Sequence, residues 1–128
     1  MNDLNIPSSQ STPGVTSAFS EGVLMMRGDS YPENSYEFFT PIIQWLEAYL
    51  SNAPRPLRLE LRLVYMNTSS VKAMMDIFDM LEEAHQGGQP VSVDWYYDPL
   101  NERVFDLADE FREDCTFPFN ISSDTQST

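Results

Sequence analysis

The 128-residue chain predicts a small single α/β domain: a mixed β-sheet with an N-terminal hairpin and parallel crossovers, its helices mainly on one face. Three observations carry this. The stretch "LRLELRLVY" (57–65) alternates leucine with charge, as a strand with one dry and one wet face does. The stretch "VKAMMDIFDMLEEAHQGG" (71–88) has apolar residues at helical spacing and stops at two glycines. Strand, helix and strand follow at lengths that make right-handed parallel crossovers.

The elements follow in order along a domain spanning 1–128. Residues 1–14 form a Ser-, Pro-, Asn- and Gln-rich arm that pairs late or stays mobile; residues 1–10 and 122–128 read as flexible ends. "VTSAF" (15–19) and "VLMMR" (23–27) flank "SEG", the pattern of a β-hairpin. "GDSYPENS" supplies turn chemistry before "YEFFTPIIQWLEAYL", where Phe39, Ile42, Ile43, Leu46, Tyr49 and Leu50 share a helix face. Pro41 leaves two readings: a kinked helix from near Asn34, or a shorter one capped by Thr40 with Pro41 at its first position.

"NAPRP" (52–56) closes that helix, and the strand after it turns Leu57, Leu59, Leu61, Leu63 and Tyr65 inward. In the second helix Val71, Met74, Met75, Phe78 and Leu81 form the core stripe, widened by Ile77, Met80 and Ala84. "VSVDWYY" (91–97) buries Val91, Val93, Trp95 and Tyr97. Asp98 and Pro99 read as cap and first position of a third helix, with Val104, Leu107, Ala108 and Phe111 inward. "FPFNI" (117–121) adds a last short strand.

Twenty acidic and 7 basic residues give a net charge of −13, a field that repels nucleic acid and anionic membrane surfaces but admits partners with basic patches. No apolar run approaches the roughly 18 residues of a membrane span, and the N-terminus lacks the regions of a signal peptide. With Cys115 as the single cysteine, a reduced, cytoplasmic setting fits.

Neither a metal, a cofactor nor a catalytic centre is expected. His85 and Cys115 lie thirty residues apart, without zinc-site spacing, and no acidic run forms a calcium loop. Cys115 sits in "EDCTFPF" among carboxylates that raise a thiol pKa. His85 ends a helix of about four turns that begins at the only serine cluster nearby, roughly 20 Å away by helix rise. Glycine-rich nucleotide loops are lacking.

What stands out is "VYMNTSSVKAMMD" (64–76), with Asn67, Thr68, Ser69 and Ser70 in a row where a strand meets a helix. Asn67, Thr68 or Ser69 can each cap the helix, for about 1 kcal/mol, and one cap needs one such residue. A phosphate there would meet unpaired backbone N–H groups and the positive end of the helix dipole. On these grounds alone the cap stands ahead of the switch, and the hydroxyls remain equivalent.

A strand ending in a short polar Ser/Thr turn at a helix start resembles the STAS domain of anti-sigma-factor antagonists, whose usual turn is Asp-Ser-Ser/Thr-Gly. "GDSYPENSYEFF" (28–39), "LRLELRLVYMNTSSVKAMMDIFDMLEEAHQGG" (57–88) and "NERVFDLADEFREDCTFPF" (101–119) more narrowly resemble the SiaC family of bacterial regulatory phosphoproteins. That resemblance implies a STAS-like fold and a non-enzymatic partner switch. It implies phosphorylation of Thr68, with Ser69 second, by a cognate Ser/Thr-type kinase, reversed by a PP2C-like phosphatase. The unphosphorylated form would bind and activate a diguanylate cyclase, promoting cyclic di-GMP signalling and biofilm formation. The other reading is a constitutive STAS-like adaptor or anti-sigma-factor antagonist not controlled through Thr68. Under the switch reading Ser69 and Ser70 become the cap and its support. Asn67, Ser69, Ser70 and Lys72, with Asp29, Tyr31, Glu33 and Asn34 of a "GDSYPEN" loop beside the turn, are the expected partner contacts. For the loop residues, a tight turn plus a helix cap is an equal alternative.

Overall fold

The computed structural model describes residues 3–51 and 55–123, so most of the "NAPRP" stop and the tail beyond 123 lie outside the described residues. Six strands form one sheet in chain order: β1 (Asn5–Ile6), β2 (Gly14–Ala18), β3 (Val23–Ser30), β4 (Leu57–Met66), β5 (Val91–Tyr97) and β6 (Phe119–Ser123). The first three are antiparallel; β3 to β6 run parallel. Helices α1 (Ser35–Leu50), α2 (Thr68–Gln86) and α3 (Glu102–Glu113) make the three crossovers. Because strand order advances in one direction, crossovers of one hand place every helix on the same face.

The strand pattern matches that arrangement. Leu24, Met26, Leu57, Leu59, Leu61, Leu63, Val91, Val93 and Trp95 are buried under the helices. On the other face Arg58 pairs with Glu60 and, at 3.0 Å, with Asp94; Arg62 pairs with Glu60 at 3.3 Å and lies 4.5 Å over the Tyr96 ring. These charges stay on the wet side, where exposed pairs contribute little stability.

Helix α1 starts at Ser35, capped by the Asn34 side chain, so the longer of the two readings holds and Thr40 is no cap. Its Pro41 sits on the exposed side, and the Thr40 hydroxyl donates to Tyr36 O at 2.5 Å. Trp45, which the apolar stripe omitted, is fully buried between the rings of Phe19 and Tyr49, at 5.7 and 5.5 Å. Asp3 accepts from Trp45 Nε1 at 3.2 Å and from Phe19 N–H at 2.8 Å, which ties the N-terminal arm to the hairpin and α1.

One inward assignment and one helix start are corrected. Met75 is 48% exposed, because the buried arc of α2 runs through Ala73, Met74, Ile77, Phe78 and Leu81 instead. Helix α3 begins at Glu102 after Asn101, whereas Asp98 makes a tight turn by accepting from Leu100 N–H at 2.9 Å.

Gly22 ends the hairpin turn with φ +69, and a Cβ there would strike the Pro56 carbonyl and the Tyr49 hydroxyl. Gly22→Ala should therefore cost about 1–3 kcal/mol in chemical denaturation. Near the C-terminal end of α2 the Glu82 carboxylate accepts from Thr116 N–H at 2.7 Å and the Thr116 hydroxyl at 2.5 Å. These bonds, then one from Gln86, hold its pKa down at about 2, from 4.5. A depressed carboxylate pKa means stability that is full above pH 4.5 and lost as pH falls through about 2. The melting difference between the wild type and Glu82→Ala should thus be small but measurable near neutral pH and vanish through that window.

Candidate functional site

Strand β4 departs from period two just before the hydroxyl cluster. Gly28 pairs with Leu63 but Ser30 pairs with Met66, so Val64 and Tyr65 together oppose Asp29. This extra residue is a β-bulge, which bends a strand and re-aims its side chains. Gly28, at φ +115, takes the backbone into it. As a result Tyr65 points outward, 55% exposed, and Met66 takes the inward place that alternation assigned to Tyr65. The Asp29 carboxylate accepts the Tyr65 N–H at 3.2 Å, a ladder donor that the bulge leaves over. Tyr31 meets Tyr65 edge-on, with centroids 5.7 Å apart.

The turn itself separates the hydroxyls. Asn67 is the cap: its backbone is extended (φ −75, ψ 173) and its side-chain oxygen accepts from Ser70 N–H at 2.9 Å. Neither Ser69 nor Ser70 therefore caps the helix. Ser70 is fully buried, and its hydroxyl shares a 2.8 Å bond with that of the equally buried Ser30. Ser30 O also accepts the Asn67 N–H at 3.0 Å, so one β3 residue holds both ends of the turn. The Ser69 hydroxyl donates to Asn67 Oδ1 at 3.2 Å and lies 2.5 Å from the Ser35 hydroxyl, which makes Ser35 the donor in that second bond. Thr68, the first helical residue, is exposed, and its hydroxyl makes no hydrogen bond among the described residues.

The loop "GDSYPEN" lies beside this turn, tied to it through Ser30 and, one residue beyond the loop, through Ser35. Its members divide. Asp29 secures the bulge and Asn34 caps α1 by accepting from Glu37 N–H at 3.0 Å. Tyr31 and Glu33 are exposed. Lys72 is exposed one turn along α2, while Ser70 is too buried to touch a partner. The hydroxyl bridge from Ser35 to Ser69 brings the N-termini of α1 and α2, the positive ends of both helix dipoles, to one corner.

Sequence reasoning missed several residues here. Tyr36, the second residue of α1, is 83% exposed, and a groove of about 510 Å³ runs from it between α1 and α2 past Ser69 and Lys72. Its place outside the α1 stripe was readable. Ser30, Ser35 and the outward Tyr65 depended on the bulge and on contacts distant in sequence.

The Cys115 thiol is unsuited to nucleophilic chemistry. Burial first, then the charges of Glu82, Asp114 and Asp79, push the Cys115 thiol up to about 11. No three His, Cys, Asp or Glu side chains among the described residues are grouped to hold a metal ion. No helix of the described residues is long and apolar enough to cross a membrane.

Replacing Ser70 by Ala strands the Ser30 hydroxyl in the core, at about 1–3 kcal/mol. Ser30→Ala strands the Ser70 hydroxyl at a similar cost, whereas the double variant should lose little, so a double-mutant cycle by urea denaturation reads a coupling of about 2 kcal/mol or more. Additive losses would show that the buried pair carries no net interaction.

Comparison with known proteins bears on this corner. The family model "SiaC family regulatory phosphoprotein" matches residues 6–124. A protein of Pseudomonas aeruginosa strain UCBPP-PA14, described only as uncharacterised, is 62% identical over 123 residues, covering 96% of this chain and 98% of its own. The structure of SiaC of Pseudomonas aeruginosa superposes with a TM-score of 0.91 at 60% identity, over 97% of this chain and 100% of that one. A chain in the crystal structure of the diguanylate cyclase SiaD with its activator SiaC, also from Pseudomonas aeruginosa, superposes with a TM-score of 0.93 at 61% identity, over 95% and 100%.

Proposed function

The chain belongs to the SiaC family of regulatory phosphoproteins, and from that premise we propose that it is a partner switch controlled at Thr68. It is a regulator and not itself an enzyme. In its unphosphorylated form it binds and activates a diguanylate cyclase, and so raises cyclic di-GMP and favours biofilm formation. A cognate Ser/Thr-type kinase transfers the γ-phosphoryl group of ATP to Thr68 Oγ1, releasing ADP and a proton. A PP2C-like phosphatase hydrolyses the ester again. Cyclase binding is supported by the relative at 61% identity crystallised with SiaD.

The observation that carries Thr68 is the division of labour in the turn. Ser70 is buried, Ser69 is engaged twice, and Asn67 alone makes the cap. Thr68 is left exposed and unengaged, so its modification breaks no bond of the fold. Helix α2 also has no acidic residue in its first turn, whereas α1 has Glu37 and α3 has Glu102. A phosphate of about −1.5 to −2 charges is well placed at that helix end and severe for a partner seated on it. The exposed Tyr31, Glu33, Tyr36, Tyr65, Lys72 and Met75 are the contacts we assign to that partner. A constitutive adaptor or anti-sigma-factor antagonist would need no free hydroxyl here.

Incubation with the cognate kinase and ATP should add one phosphate by intact mass, and Thr68→Ala should abolish the gain. In binding to a diguanylate cyclase, Thr68→Ala should behave as wild type and Thr68→Asp should lose about tenfold or more, ~1.4 kcal/mol. Unchanged mass with an active kinase, or full-strength binding by Thr68→Asp, would defeat the reading.

A further inference from the structure

Lys72 is the only lysine of the sequence. It is exposed, and among the described residues it holds no ion pair or hydrogen bond. Arg27 and Arg103 are likewise exposed without an ion pair among the described residues, but only Lys72 stands on the helix that begins at Thr68. It stands four residues after Thr68 on the same helix. Positions i and i+4 of a helix face the same way, with Cβ atoms about 5–6 Å apart. Helical side chains lean toward the N-terminus, so the Lys72 stem is directed back over the turn that holds Thr68.

We propose that Lys72 is the intramolecular receptor of the phosphate on Thr68, joining it in an ion pair across one turn of α2. The proposal rests on the reading of Thr68 as the modified residue. The orientation is the favourable one for such a pair: the anion is N-terminal, the cation C-terminal, and the anion also faces the positive helix end. A phosphate oxygen with an ammonium makes a charge-assisted hydrogen bond, stronger than one between neutral groups.

The surroundings make this cation count. No Lys or Arg other than Lys72 lies in the "GDSYPEN" loop, α1 or α2. The other charged groups of that corner are acidic: Asp76 on α2 and Glu47 on α1 line the same groove, Glu33 and Glu37 stand at the entry to α1, and Asp29 sits at the bulge before the turn. His85 lies at the far end of α2. These carboxylates oppose the second ionisation of a phosphate, whose pKa is ordinarily about 6. Lys72 favours it, and so holds the switch as the dianion near neutral pH. The same pairing withdraws the ammonium from the mouth of the α1–α2 groove. Phosphorylation then changes that surface twice, by the charge it adds and by the cation it captures.

The test uses full-length protein with phosphothreonine installed at position 68 during translation, which makes it independent of any kinase. A ³¹P titration reads the second phosphate pKa in the Lys72 protein, in Lys72→Met and in Lys72→Arg. Loss of the ammonium should raise that pKa by about half a unit, and Lys72→Arg should restore it. An identical value in all three folded proteins overturns the pairing even if the kinase does modify Thr68. Failure of the kinase to modify Thr68 would instead count against the functional reading and leave this result standing.

Discussion

The corner of the molecule that matters depends on Ser30. This buried residue at the end of β3 gives its carbonyl to the Asn67 N–H and shares a hydroxyl hydrogen bond with Ser70. Both are short-range, low-dielectric contacts, and an unpaired hydroxyl there would carry a desolvation cost of about 1–3 kcal/mol. Ser70 is thereby consumed by the core, and the first turn of α2 is held in one rotational setting. That setting turns Thr68 to solvent and Ser69 toward Ser35.

The one-sided architecture explains why such a corner exists. Because β3, β4 and β5 run parallel they end along one edge, and with every helix on one face each turn there hands the chain to a helix start on that same face. Two of those starts, α1 and α2, are joined through Ser35 and Ser69. Their dipoles supply local positive potential to a chain of net charge −13. The bulge in β4 adds the outward Tyr65 against Tyr31. An aromatic, partly apolar rim around an exposed hydroxyl is a surface that one modification can both occupy and recharge.

Much of the fold was legible because it rests on period. The alternation of Leu57 to Leu63 and the helical spacing around Met74, Phe78 and Leu81 are local consequences of backbone geometry. The misreadings have physical causes. Alternation places Tyr65 inward because it assumes an unbroken ladder, and one extra residue opposite Asp29 breaks it. Helical spacing places Met75 in the core because a methionine suits either side of a helix boundary, and the neighbouring elements decide which arc is covered. Asp98 carried the chemistry of a cap, yet its carboxylate closes a turn three residues earlier.

The sequence by itself determined the α/β class, the one-sided sheet, the acidic surface, and four consecutive polar residues where a strand meets a helix. It left Asn67, Thr68, Ser69 and Ser70 nearly equivalent as physical groups, and only family resemblance set Thr68 apart. Tertiary structure decided their separate roles. The bonds that do so join Ser70 to a residue 40 positions away and Ser69 to one 34 positions away. Burial and hydrogen-bond occupancy at the turn are supplied by distant chain segments, which no local pattern of residues encodes.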